Sequence, residues 1–120
     1  MREDTANILS ILDNFSLESE EDIAKSIADD FRKRRIEKNL TREMVAKQSG
    51  VPLGNLSRFE QKGLISLKNL ISLAVTLGYT FEIKGVFSQQ KYSTMEELTE
   101  IRKNAGRKTA QQKRKSDEKD

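Results

Sequence analysis

Residues 41–60 read Thr-Arg-Glu-Met-Val-Ala-Lys-Gln-Ser-Gly-Val-Pro-Leu-Gly-Asn-Leu-Ser-Arg-Phe-Glu, and this stretch decides the fold. Thr41 is a good N-cap for a short helix that carries Val45 and Ala46. Gly50 follows four residues after Ala46, where the chain must turn. Val51, Leu56 and Phe59 then recur at the spacing of a second helix's buried face. Two short helices crossing steeply need a small residue at their contact, here Ala46. Between them they need a residue that tolerates positive φ, here Gly50. An ordinary corner between two helices would place Ala and Gly in the same way, so the flanking sequence has to decide between the two readings.

Upstream, the pattern predicts a helix from about Glu20 to Lys38. Ser19 is its N-cap, and Glu20, Glu21 and Asp22 suit the positive end of the dipole. Ile23, Ile27 and Phe31 mark the expected buried stripe, and Arg32-Lys33-Arg34-Arg35 lies near the C-terminal end. Asn39 can take the left-handed conformation that closes a helix. Downstream, Gln61-Lys62-Gly63 closes the second helix of the motif. Ser66 caps another, with Leu67, Leu70, Ile71, Ala74 and Leu77 as its apolar face and Gly78 as its end. The period then changes. Tyr79, Phe81 and Ile83 alternate with polar residues, which predicts a strand over 79–85. A lone strand leaves its backbone groups unpaired. The expectation is therefore pairing with the same strand of a second copy, giving a symmetric homodimer.

Thr94 opens a further short helix, with Glu97 expected to complete a capping box and Met95, Leu98 and Ile101 on one face. Near the N-terminus, Ile8, Leu9, Leu12 and Phe15 predict a short amphipathic helix over 5–15. The fold class is all-α: a compact four- to five-helix domain with one short C-terminal strand and helical or disordered extensions. The expected organisation is an acidic arm (1–18), a domain with its dimerisation strand (19–87), a linker and short helix (88–104), and a basic disordered tail (105–120).

Composition narrows the chemistry. Of 120 residues, 35% are hydrophobic and 34% charged, which fits a small core with solvated segments. There is no Cys and no His, which excludes disulfides, thiol chemistry, His-based acid–base catalysis and a zinc site. No cofactor is expected. No Gly-rich phosphate loop is present, and the acids sit at helix starts, so no enzyme is expected. No run of apolar residues is long enough for a membrane span or a signal core. The absence of Cys fits a reducing cytoplasm. The net charge of +3 is uneven: residues 1–30 hold nine acids against Arg2 and Lys25, and the rest holds 20 Lys+Arg against 10 Asp+Glu. Such a basic body favours polyanions.

Taken in order, these elements resemble the Cro/repressor-type, or Xre, helix-turn-helix family. The resemblance is carried by Phe31-Arg32-x-x-Arg35, Leu40-Thr41-x-x-x-Val45-Ala46-x-x-x-Gly50-Val51, Leu56-Ser57-Arg58-Phe59-Glu60 and Leu67-x-x-Leu70-x-x-Leu73-Ala74-x-x-Leu77-Gly78, across about residues 23–79. With the strand after Gly78 and the short helix with its basic tail added, the chain resembles HipB-type antitoxins, which pair with a HipA-like kinase toxin and repress their own operon. Departures from the family pattern stand at Arg34, at Met44 and at Pro52-Leu53-Gly54.

The resemblance implies sequence-specific binding of double-stranded operator DNA, with the second helix of the motif in the major groove. Arg58 precedes buried Phe59 and faces outward. Its fork suits guanine O6 and N7, or alternatively a phosphate. Asn55 and Ser57 lie on the same exposed side. Leu53 could touch a thymine methyl, and Gly54 would let the backbone approach closely. Arg42, by resemblance, and Lys62 contact phosphates. The resemblance also implies a partly buried Arg35–Glu60 ion pair. The expected function is a repressor and antitoxin, homodimeric, cytoplasmic and nucleoid-associated, with a kinase-like toxin as protein partner and no membrane partner. The alternatives are a stand-alone regulator of phage or restriction–modification type, and a protein-binding module that no longer reads DNA, which Pro52, Leu53 and Gly54 would favour.

Overall fold

The computed structural model describes residues 18–110. Six helices follow one another among them: α1 (Glu20–Glu37), α2 (Arg42–Ser49), α3 (Leu53–Lys62), α4 (Leu67–Thr76), α5 (Thr80–Lys84) and α6 (Met95–Asn104). The helix expected over 5–15, and the basic tail from residue 111 on, lie outside the described residues. The chain divides after Lys84 into two compact units. The first holds α1–α5 and the second holds α6.

Local chemistry sets most helix ends in the first unit. Ser19 accepts from the Asp22 amide while the Asp22 carboxylate accepts from the Ser19 amide, a full capping box at the start of α1. Thr41 accepts from the Met44 amide and Ser66 from the Asn69 amide, starting α2 and α4. Asn39 (φ 56°) and Gly78 (φ 87°) sit in the left-handed region after α1 and α4. Around each, the two amides beyond the C-cap turn back to the last free carbonyls: Leu40 to Arg35 and Asn39 to Ile36, Tyr79 to Ala74 and Gly78 to Val75.

Packing within this unit runs α1 on α3, α2 on both α3 and α4, and α4 on α5. The core holds Ala28, Phe31, Val45, Val51, Leu56, Phe59, Leu73 and Leu77. Phe31 meets Phe59 edge to face at 5.5 Å between ring centres, joining α1 to α3. Gly50 takes φ 78° between α2 and the loop to α3, and Ala46 packs against the core.

Within this first unit the structure departs from the sequence reading in three places. On α1 the buried side is Ala28, Phe31 and Arg35, whereas Ile23 and Ile27 are about half exposed. Small residues face α3 because its end comes close, as described below. On α4 the inner side is Leu70, Leu73 and Leu77, and Leu67 and Ile71 are exposed.

The third departure is the expected strand of Tyr79, Phe81 and Ile83, which is a single helical turn: Thr80–Lys84 is α5, and the Ile83 amide donates to the Tyr79 carbonyl at 3.0 Å. No strand occurs among the described residues. Five alternating residues are too few to separate the two periods, and Tyr79 and Ile83 also stand four apart, at helical spacing. The helical turn supplies its own backbone partner, which a lone strand would lack.

In the second unit Thr94 caps α6 by accepting from the Glu97 amide. The Glu97 carboxylate does not close a box on Thr94 itself. It accepts instead from the amide and hydroxyl of Ser93. Leu98 is buried and Met95 is exposed.

Gly63 ends α3 with φ 72°, and a Cβ placed there would lie 2.9 Å from backbone atoms of Ala24 and Lys25. The tail of α3 therefore rests directly on the α1 backbone. At Gly50 (φ 78°) a Cβ would meet nothing within 4 Å. Gly63→Ala should cost both the left-handed penalty and the overlap, about 2–4 kcal/mol together, whereas Gly50→Ala should cost only about 1–2 kcal/mol. Urea unfolding of both variants checks this ordering, and equal losses would contradict the close approach.

Candidate nucleic-acid interface

α3 buries Leu56, Phe59 and Glu60 and turns its other side to solvent. Asn55, Arg58 and Lys62 are exposed and follow at i, i+3 and i+7, so they share one outward row. Leu53 and Gly54 are exposed at the start of the helix, and Ser57 is half-buried. A Cβ on Gly54 would meet nothing within 4 Å, so packing does not require a glycine there. Pro52 is the N-cap and offers no side-chain hydrogen bond. The first amides of α3 are thus left without a side-chain acceptor, at the positive end of the helix dipole.

Behind this row sits a buried charge cluster. The Glu60 side chain has no exposure. Arg35 grips it with two hydrogen bonds, Nε to Oε2 at 2.7 Å and Nη2 to Oε1 at 2.9 Å. The remaining Arg35 nitrogen, Nη1, donates to the Leu40 carbonyl at 2.8 Å, holding the turn between α1 and α2. Arg42 adds a third donor, its Nε reaching Glu60 Oε1 at 3.1 Å. Lys25 completes the tie by donating from Nζ to the Glu60 carbonyl and to Asp29, each at 2.9 Å. One carboxylate on α3 therefore binds cations from α1 and α2. Burial alone would raise the Glu60 carboxyl, but the hydrogen bonds from Arg35 and Arg42, and their charges, hold it below its ordinary value. The hydrogen bond to Glu60 likewise raises Arg35.

The sites read from sequence fall in different parts of the domain. Leu53, Gly54, Asn55, Arg58 and Lys62 lie on the open side of α3. Arg42, at the start of α2, is half-buried against Glu60 with one edge of its guanidinium committed. Arg35 and Glu60 stand together in the cluster, whereas Tyr79, Phe81 and Ile83 belong to α5 and its approach. Sequence reasoning missed Arg42 as a partner of Glu60, and it missed Lys25 and the seat of Gly63 on α1. A signal for the last was present. Ala24 and Ala28 are two small residues four apart on a helix whose other apolar residues, Ile23, Ile27, Phe31 and Ile36, are all large, the mark of a close neighbour.

Residues 31–84, from the end of α1 through α5, match the family model described as helix-turn-helix. This match supports the Cro/repressor-type family of helix-turn-helix domains. The two motif helices are α2 and α3. Domains of this type are DNA-binding modules of transcription regulation, and the match supports DNA binding here. No curated protein and no solved structure matches the chain. Among the described residues, no helix is long and apolar enough to cross a membrane.

The cluster makes stability depend on pH. The folded protein holds the Glu60 proton less readily than the unfolded chain does, so the charged carboxylate stabilises the fold above its ordinary value of 4.5. That contribution is lost as pH falls through the lowered folded value. Glu60→Gln should be less stable than the parent by about 3 kcal/mol at neutral pH, because it leaves two arginines without their anion. The gap should narrow as the parent is acidified toward about pH 3. Thermal unfolding across that range checks it, and a gap independent of pH would rule out the charge as its cause.

Proposed function

We propose that this chain is a sequence-specific regulator of transcription that binds double-stranded DNA with α3 in the major groove and acts as a repressor on its operator. The observation that carries the reading is the outward row of Asn55, Arg58 and Lys62 on a helix whose inner side is locked to α1 and α2 through Glu60. A rigid helix with a free polar face meets the requirement for direct readout. Arg58 is exposed, and its fork suits the major-groove edge of guanine, while Asn55 suits adenine. Leu53 and Gly54 bring the uncapped start of α3 close to the backbone or to a thymine methyl. Arg42 has one guanidinium edge on Glu60, which leaves its Nη groups for a phosphate, and Lys62 serves the same purpose at the other end of α3. Two copies on a two-fold operator would double the contacts. Such a protein works where the chromosome is, in the cytoplasm.

A second reading adds a protein partner, as in an antitoxin that restrains a kinase-like toxin. Its support by resemblance rests on the short helix with its basic tail and on a strand, and the strand is a helix. What favours it is the second unit, where Val86, Phe87, Tyr92 and Met95 are all at least half exposed. Co-purification of a stoichiometric kinase-like protein from the native host would support it. Its absence leaves a stand-alone regulator.

Selection from random duplex DNA should yield a preferred sequence. Against that sequence Arg58→Ala should lose about 1–3 kcal/mol of discrimination and bind random DNA nearly as before. Arg42→Ala and Lys62→Ala should weaken binding to both and flatten the salt dependence. Equal losses on selected and random DNA for Arg58→Ala would remove it from base reading.

A further inference from the structure

The helix dipole explains only part of the charge on the second unit. α6 begins with Glu96 and Glu97 and ends with Arg102 and Lys103, the order that the dipole favours. That effect fades within the last turn, at Asn104. Arg107 and Lys108 lie beyond it, and the sequence stays basic to Lys115: from residue 102 to residue 116 there are seven Lys and Arg and no acid. The whole chain has 22 Lys+Arg and 19 Asp+Glu, so this run is segregated rather than the mixed charge that merely solubilises a surface.

The backbone turns the described part of the run outward. Ala105 leaves the helix with ψ 135°, Gly106 takes φ 83°, and the Arg107 amide donates to the Asn104 carbonyl at 3.2 Å. Arg107 Nη1 donates to Asn104 Oδ1 at 3.0 Å, which orders the guanidinium beside the end of α6. Every residue from 102 to 110 is exposed. Among the described residues, no carboxylate forms an ion pair with Arg102, Lys103 or Lys108.

Composition narrows the anion. From residue 102 to residue 116 there is no aromatic ring on which an unpaired base could stack. Nothing there is more apolar than Ala, which gives a lipid surface or the core of a protein interface little to bury. What remains is positive charge at short intervals, the complement of a polyanion with evenly spaced charge. Duplex DNA carries one phosphate charge per roughly 1.7 Å of its axis, so contact with it demands no fixed register. In the regulator reading α3 already holds such a duplex. The tether to the first unit then keeps the basic run at high local concentration near the neighbouring phosphates.

We propose that the run beginning at Arg102 is a second DNA contact, which grips the phosphates flanking the stretch that α3 reads and adds affinity without adding sequence preference. The inference rests on the regulator reading for its ligand, but its test works on random duplex as well.

Arg102→Gln/Lys103→Gln/Arg107→Gln/Lys108→Gln in the full chain leaves α3 and the core untouched and should keep the parent's thermal unfolding. Its log–log dependence of DNA affinity on salt should be shallower than the parent's by about 3–4. Between about 50 and 200 mM salt the parent should therefore lose roughly a hundredfold more affinity than the variant. The slope change should be the same on random and selected duplexes, and the ratio of the two affinities should stay at the parent's value. Arg102→Lys/Arg107→Lys, which keeps the charge, should keep the parent's slope. Extending the selected duplex by about one helical turn on each side should tighten binding by the parent and not by the glutamine variant. An unchanged slope, or a loss confined to the selected sequence, would overturn the inference. Sequence selection with an unchanged slope would leave the regulator reading without this contact. A reduced slope with no sequence selection would leave the contact and sink that reading.

Discussion

The domain is organised by one buried negative charge. A carboxylate without exposure is tolerable only if its oxygens are filled, and Glu60 fills them with Arg35 and Arg42. Those cations come from the two helices that precede α3, so satisfying the charge also fixes where α3 lies. A buried apolar side chain in place of Glu60 could fill the volume but would not choose an angle. Arg35 adds direction because its last nitrogen is spent on the Leu40 carbonyl, which pins the turn leading to α2. Lys25 and Gly63 secure the far end of α3 against the α1 backbone. α3 is thus held along its length while its outward row makes no contribution to the core. A helix fixed in this way can present side chains to a groove without rearranging on binding, which lowers the ordering cost of association.

Arg42 links this internal arrangement to the surface. One edge of its guanidinium faces the buried carboxylate and the rest is partly open to solvent. A phosphate approaching the start of α2 would meet a cation whose side chain is already ordered. In the proposed complex the same residue would serve both packing and recognition, and its substitution would touch both. Arg58 and Lys62, by contrast, have no structural duty that would confuse the reading of their variants.

Much of the fold was legible in the sequence because its helix ends are marked by chemistry that acts locally. Ser19, Thr41 and Ser66 cap, Asn39, Gly50, Gly63 and Gly78 take positive φ, and each is visible one residue at a time. What was not legible depends on neighbours that are distant in sequence. Size and hydrophobicity mark Ile23 and Ile27 as the buried side of α1, yet the end of α3 at Gly63 comes down on the backbone of Ala24 and Lys25 and it is Ala28 that is buried. Arg42 reads as a free cation until the fold brings Glu60, eighteen residues on, within 3.1 Å. The alternation at Tyr79, Phe81 and Ile83 was real, but it spans too few residues for a period to be assigned, and the left-handed turn at Gly78 leads the chain into another helical turn. On α4 the apolar residues exceed what one core can bury, and the sequence alone did not say which of them would be left outside.

The most direct measurement of the account is an amide chemical-shift titration of the full chain with a duplex selected from random DNA. If α3 is the reading helix, the largest shifts will fall on Leu53, Gly54, Asn55, Arg58 and Lys62, with a further group at Arg42, while core amides such as Leu56 and Leu73 change little. Shifts centred on α4 or on residues 85–110, with α3 silent, would contradict it and move the function of this chain to another surface.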